Sequence, residues 1–305
     1  MSTIDPALEA VHAHLLSVDP RGARMAAAIR RTFDMLLDGQ HTGRFRWEQL
    51  HKTEKTHCGT LIEINLQREF GFEDGRILDY LIVGVEVDCK YSQKLADWMI
   101  PPEAVGRILL GLWANDKDGL WSAGLIRADE ENLNKGENRD AKRSLSKQGR
   151  GAIRWLFKSA PLQENVLLRL TAEDIDAIFG PASGQKKINE LFRRAQGMLI
   201  SRSVVATVAM QEDYMKRVRG NGGARTALRS EGIVIFGQYK SHAQAATALG
   251  LPTPGPGEFV SARLARRQAH HGNFRWVELD GEKWVLATTV DPIEPGPRLP
   301  EIGRL

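Results

Sequence analysis

The chain has 305 residues, 42% of them hydrophobic and 26% charged, with a formal net charge of +4, which excludes a disordered or fibrous protein and suits one large domain or two ordinary ones. Its two cysteines, Cys58 and Cys89, exclude a disulfide framework and a CxxC zinc site. No apolar run approaches the roughly 18 residues of a membrane span, and the opening MSTIDPALEAVHAHLL lacks the basic and apolar regions of a secretory signal, so a reducing cytoplasm is the expected setting.

Residues 7–16 and 22–38 have helical spacing. In the second stretch Met25, Ile29, Phe33 and Leu36/Leu37 recur at intervals of three and four. Asp38-Gly39-Gln40-His41-Thr42-Gly43 breaks that helix, and a long helix follows over 49–70. Strands are expected at 77–83 and 84–91, where Val83, Val85 and Val87 alternate with Gly84, Glu86 and Asp88. Pro101-Pro102 opens a short helix. ILLGLW (108–113) and LWSAGLIRA (120–128) form a hairpin across 115–119. The polar stretch 129–151 reads as a loop or flap.

A boundary near 160–170 divides the chain into a domain over 1–160, a linker over 161–170 and a domain over 171–305. The second domain opens with helices over 173–179 and 186–196, then a helix pair between 202 and 229. A strand at 233–237, an alanine-rich helix at 241–249 and a rigid Pro/Gly loop at 251–258 follow. FRWVELDGEKWVLAT (274–288) is a hairpin turning at Asp280-Gly281. His270 and His271 fall in a basic, exposed loop.

Four residues carry the chemistry. Asp88 and Lys90 are two apart on a strand and project to one face. Asp79 lies on the preceding strand, where antiparallel pairing brings it beside Asp88. Glu63 comes from the long helix. Phosphodiester hydrolysis needs hard oxygen ligands for a divalent cation, and Mg²⁺ is satisfied by two or three carboxylates plus water. A lysine adds positive charge at the phosphate. The D-x-K element alone is common, and surface charges around a hairpin explain it equally well; the upstream Asp79 and Glu63 sharpen it.

The second half points to nucleic acid. Residues 181–230 hold ten Lys/Arg against three acids, a window of +7. QEDYMKRVRG (211–220), a Gly-Asn-Gly-Gly turn and ARTALRSEG (224–232) fit a helix-turn-helix. Arg225 and Arg229, four apart, share a face suited to guanine edges. Lys216, Arg217 and Arg219 suit phosphates, which position without specifying. The glycines at 220–223 lack the spacing of a nucleotide-binding P-loop.

FRWEQLHKTEKTHCGTLIEINLQREF (45–70) and LDYLIVGVEVDCKYS (78–92) resemble the NaeI family of type II restriction endonucleases, with gaps of 16, 9 and 2 between the acids and the lysine. INELFRRAQGMLISRSVVATVA (188–209) and DYMKRVRGNGGARTALRSEGIVIFG (213–237) extend the similarity, which thins beyond about residue 250. The resemblance puts Glu63, Asp79, Asp88 and Lys90 in the family's catalytic places, the three acids as metal ligands. It puts Leu36 in a ligase-like motif near the active site. It implies an α/β (α+β) chain: a restriction-endonuclease-like mixed β-sheet flanked by helices, then a catabolite-activator-like winged-helix/helix-turn-helix domain. It further implies a Mg²⁺-dependent homodimer that cleaves double-stranded DNA at one site, such as GCCGGC, with a second copy as effector. A DNA-binding regulator with a dead nuclease domain and a topoisomerase or strand-joining enzyme with a tyrosine, serine or lysine nucleophile are the alternatives.

Overall fold

The computed structural model describes residues 5–219 and 221–304, so Gly220 of the expected glycine turn lies outside the described residues. The chain forms two compact units, Met1–Leu37 with Arg46–Glu164 and Asp38–Phe45 with Asn165–Leu305. The short stretch Asp38–Phe45 therefore belongs with the second half of the chain, not with the residues that flank it.

The helices are α1 (Pro6–Val18), α2 (Ala23–Leu37), α3 (Gly39–Thr42), α4 (Lys52–Phe70), α5 (Lys147–Gly151), α6 (Ala172–Phe179), α7 (Gly184–Arg194), α8 (Arg202–Ala209), α9 (Ala224–Ala227) and α10 (Lys240–Leu249). The first unit has strands β1 (Glu73–Asp74), β2 (Tyr80–Ile82), β3 (Val85–Ser92), β4 (Ile108–Asn115), β5 (Leu120–Arg127), β6 (Leu133–Glu137), β7 (Arg143–Leu145) and β8 (Arg154–Pro161). The second has β9 (Ile200–Ser201), β10 (Ile233–Phe236), β11 (Glu258–Arg266), β12 (Trp276–Leu279) and β13 (Glu282–Leu286).

In the first unit six strands form one mixed sheet in the order β1-β2-β3-β4-β5-β8. The β2–β3 turn is two residues, Val83 (φ 45°) and Gly84 (φ 77°), and pairs Ile82 with Val85 and Tyr80 with Val87. Two left-handed residues match the twist of the strands they join. β3 then runs parallel to β4, with Asp88 beside Leu109 and Lys90 beside Gly111. Val87 and Cys89 are buried in one core with Ile62 and Leu66 of α4 and Phe33 of α2. Alternation along the strand puts Asp88 and Lys90 on the opposite face. α4 ends at Gly71 in the left-handed conformation (φ 68°), whose N–H donates to Gln67 O at 2.8 Å.

The stretch 129–151 is not the loop or flap its polarity suggests. β6 and β7 pair into a ribbon that continues into α5. Leu133 and Leu145 anchor it in a core with Trp98, Ile100 and Ile126. A buried ion pair links Arg30 of α2 to Asp116 in the β4–β5 turn.

In the second unit β10-β11-β13-β12 form a sheet, and β9 also pairs with β11. β9 and β11 had no counterpart among the expected strands. The β12–β13 turn is Asp280 (φ 51°) and Gly281 (φ 75°). The expected helix pair between 202 and 229 is α8, a 3₁₀ turn over Tyr214–Arg217, and the single turn α9 continued by 3₁₀ backbone over Leu228–Glu231. α3 packs on α8: a Cβ at Gly39 would collide with the Thr207 side chain. Phe45 stacks on Phe179, centroids 5.6 Å apart, and its carbonyl accepts from Asn165 Nδ2 at 3.4 Å. Among the described residues no helix is long and apolar enough to cross a membrane.

Candidate active site

The β2–β3 hairpin brings three of the four singled-out residues within reach of one another. Asp79 stands one residue before β2, and its Oδ2 accepts the Cys89 N–H at 2.6 Å. Lys90 Nζ donates to Asp88 Oδ1 at 2.8 Å and to Cys89 O at 2.9 Å, and lies 3.5 Å from Asp79 Oδ2. Glu63 sits half-buried on α4, and its carbonyl accepts the Tyr80 hydroxyl at 2.8 Å. Its carboxyl is pushed up by burial and by the charge of Asp79, with Lys90 acting the other way. Asp79, Asp88 and Lys90 all bear electrostatically on Glu63.

The site is rich in negative charge held away from water. Asp88 is 3% exposed. Burial pushes its carboxyl up to about 6, against the pull of Lys90. Burial opposes the Lys90 ammonium as well, but the charge and hydrogen bond of Asp88 outweigh it and raise the lysine's pKa. Asp88 Oδ2 is buried and meets no donor among the described residues. A buried carboxylate oxygen without a donor is costly, and a hard cation would suit it. Asp79, Asp88 and Glu63 are all carboxylates, a donor type that suits Mg²⁺ or Mn²⁺ better than a thiophilic ion, but their oxygens do not gather within 4.8 Å of one another in this structure. Cys58 and Cys89 are buried on the helix side of the sheet and stay out of this set.

One residue that shapes the site was passed over in the sequence. Glu86 Oε1 accepts the N–H groups of Arg76 at 2.6 Å and Ile77 at 3.2 Å, fixing the loop that leads to Asp79. The signal for it was its position two residues before Asp88, on the same face of β3. Leu36 is buried in the α2–α4–sheet core.

A profile of the family described as restriction endonuclease NaeI matches residues 9–295. The chain belongs to the NaeI family of restriction endonucleases. The type II restriction enzyme NaeI of Lentzea aerocolonigenes is 48% identical over 304 residues, which cover 97% of this chain and 95% of that enzyme.

In this NaeI-family chain the five basic residues singled out in the second unit have different surroundings. Lys216 is exposed, 3.7 Å from Asp213. Arg217 donates to Gln211 at 2.9 Å and to Asp213 at 3.2 Å. Arg219 is exposed. Arg225 and Arg229 are turned onto their own chain: Arg225 Nε donates to Ile235 O at 3.1 Å, and Arg229 Nε donates to Gly296 O at 2.8 Å.

His270 and His271 are not both exposed, as a basic loop led us to expect. His271 is buried. Its Nδ1 accepts the Gln268 N–H at 2.8 Å, so Nε2 carries the proton and donates to Asp291 at 3.1 Å. His270 Nε2 lies 2.9 Å from the same carboxylate. Burial raises the Asp291 pKa, yet the Thr288 N–H and hydroxyl and the two histidines hold it well below the usual carboxylate range. The three side chains sit close enough to hold a metal ion, but the protonated Nε2 of His271 is a donor and offers no lone pair.

Proposed function

We propose that this chain is a Mg²⁺-dependent type II endonuclease that hydrolyses both strands of DNA at a G/C-rich palindrome related to GCCGGC. The observation that carries the proposal is the buried Oδ2 of Asp88, without a donor among the described residues, beside Asp79 and Lys90. Glu63, Asp79 and Asp88 would hold the cation. Once bound, the cation supplies Lewis-acid charge at the scissile phosphate and lowers the pKa of a coordinated water.

The chain's own residues do the positioning. The Cys89 N–H fixes one Asp79 oxygen, and Glu86 fixes the loop before it. Lys90, held by Asp88, presents its ammonium to a phosphate oxygen and stabilises the charge that grows there in the transition state. The sheet, not a flexible loop, carries Asp88 and Lys90, so their separation is set by strand geometry. Incubating supercoiled plasmid with the protein should give discrete linear fragments in Mg²⁺ and none in EDTA. Full cleavage in EDTA overturns the reading.

We propose further that the chain acts as a homodimer and that the second unit binds a second DNA copy as effector. Support comes from element order: α7, β9, α8, the turns over 214–231, β10 and β11 succeed one another, with β9 and β10 both paired to β11, an order compatible with a winged helix. On that reading Lys216, Arg217 and Arg219 would precede the recognition segment and Arg225 and Arg229 would fall on it. One-site plasmid should be cut slowly and be stimulated by added site-bearing duplex, with coupling of about 1–3 kcal/mol.

Strand joining through a tyrosine is less well supported. Tyr80 and Tyr91 are raised by burial, which disfavours a phenolate. Tyr214 Oη accepts from Arg202, and the Tyr239 hydroxyl donates to Glu301.

A further inference from the structure

The second unit contains a cavity of about 650 Å³ that the nuclease chemistry does not use. Its walls come from residues 221–230, β10, His242 of α10 and the tail 295–301. Missing side chains let these pieces close on one another. A Cβ at Gly237 would meet the Arg225 guanidinium at 2.7 Å, and one at Gly296 would meet Val234 at 2.9 Å. The tail is tied in reciprocally: Gly296 N–H donates to Arg229 O at 2.8 Å, while Arg229 Nε donates back to Gly296 O.

The cavity is built for an anion. Arg225, Arg229 and Arg298 line it against one acid, Glu301. Arg225 is 18% exposed at its side chain, so its charge is poorly screened by water. His242 is 1% exposed. Its Nδ1 accepts the Gly237 N–H at 3.1 Å, which leaves the proton on Nε2. That Nε2–H is buried and has no acceptor among the described residues. Burial and the neighbouring Arg225 push the imidazole down to about 4, so near neutral pH it is an uncharged donor.

We propose that this cavity binds a phosphate group, carried by a ligand of mononucleotide size or by the backbone of DNA. Guanidinium forks match phosphate oxygens two at a time, and the volume lies in the range of about 300–1,000 Å³ typical of small-ligand pockets. Glu301 holds the place at present. One of its carboxylate oxygens is 3.4 Å from Arg225 Nη1, and the other accepts the Tyr239 hydroxyl at 3.1 Å. A phosphate displaces that carboxylate from Arg225 and gives His242 Nε2–H the acceptor it lacks.

The inference does not depend on the nuclease chemistry, but its DNA-backbone arm rests on the effector-DNA reading, which shares Arg225 and Arg229; its test uses the full chain in EDTA with no cleavage readout. Inorganic phosphate and dGMP are titrated by calorimetry, and the His242 side-chain ¹⁵N signals are followed in parallel. Wild type should bind dGMP saturably, with the Nε2 resonance shifting. Arg225→Met and Arg229→Met should weaken binding at least tenfold. Glu301→Gln should tighten it several-fold; this exposed substitution keeps the test sharp if an arginine variant fails to fold. A short duplex that displaces dGMP identifies DNA backbone as the phosphate source, and simultaneous binding identifies a free ligand. No saturable binding of either probe, or affinity unchanged in Arg229→Met and Glu301→Gln, overturns the proposal.

Discussion

Lys90 Nζ lies 2.8 Å from Asp88 Oδ1, two residues back along the same face of β3. The strand thus delivers an anion and a cation together; removing Lys90 leaves Asp88 buried without its cation, and removing Asp88 leaves Lys90 with Asp79 alone as a charged partner. Lys90→Ala and Asp88→Asn should each lower the plasmid cleavage rate by about 10²–10³-fold or more, the scale for losing one transition-state contact. DNA binding in Ca²⁺ should survive in both. Cleavage time courses and gel shifts measure the two properties. Wild-type cutting by Asp88→Asn would remove Asp88 from the active site.

The acidity of Asp88 predicts a pH signature. Its carboxyl ordinarily titrates near 3.8 and is pushed up by burial to about 6 in the fold. Between these values the folded chain holds a proton that the unfolded chain has lost, so without a divalent cation this group's contribution to stability declines as pH rises through the window. The cation requires the ionised form. The Mg²⁺-induced rise in Tm should therefore be small near pH 5 and level off above about pH 7. Thermal melts in EDTA and in Mg²⁺ across that range decide it; an increment independent of pH contradicts the assignment.

Glu86 should act through Asp79. Glu86→Ala frees the Arg76 and Ile77 amides and should lower kcat by about 10–100-fold, the usual cost of losing a group that orients a ligand. Glu86→Gln keeps an oxygen for both amides and should restore most of the rate. Equal loss in both variants would show that the charge of Glu86, not its hydrogen bonds, matters.

The Arg30–Asp116 pair should matter for stability and not for chemistry. Both side chains are buried. Asp116→Ala strands much of the Arg30 charge, although Asp34 still accepts from it at 3.0 Å. A loss of about 3 kcal/mol is expected, at the low end for breaking a buried pair. Urea denaturation measures it, and a change under 1 kcal/mol would mean that water takes the place of Asp116.

The hairpin that carries the candidate site was readable because its signals are local. Valines alternate with Gly84, Glu86 and Asp88, and a left-handed glycine closes the turn. Spacing alone put Asp88 and Lys90 on one face. What escaped notice depends on partners far away in sequence. β11 is defined by β9 and β10, and by β13 beyond it. The 133–145 ribbon looks like solvent-exposed loop until Leu133 and Leu145 are seen in a core with Trp98. The burial of His271 depends on Asp291, twenty residues on. Arg225 and Arg229 share a local face, but the acceptors that hold them, Ile235 and Gly296, come from a strand and a distant tail.

Asp38–Phe45 gives the chain an unusual kind of modularity. A single junction after Glu164 would leave the second unit without Phe45 against Phe179 and without α3 against α8. The first unit would keep an apolar phenylalanine and a helical turn made for another core. Shuffling by one recombination event therefore yields two damaged halves. Grafting the first unit onto another protein would require rejoining the chain across 38–45 as well as cutting at 164.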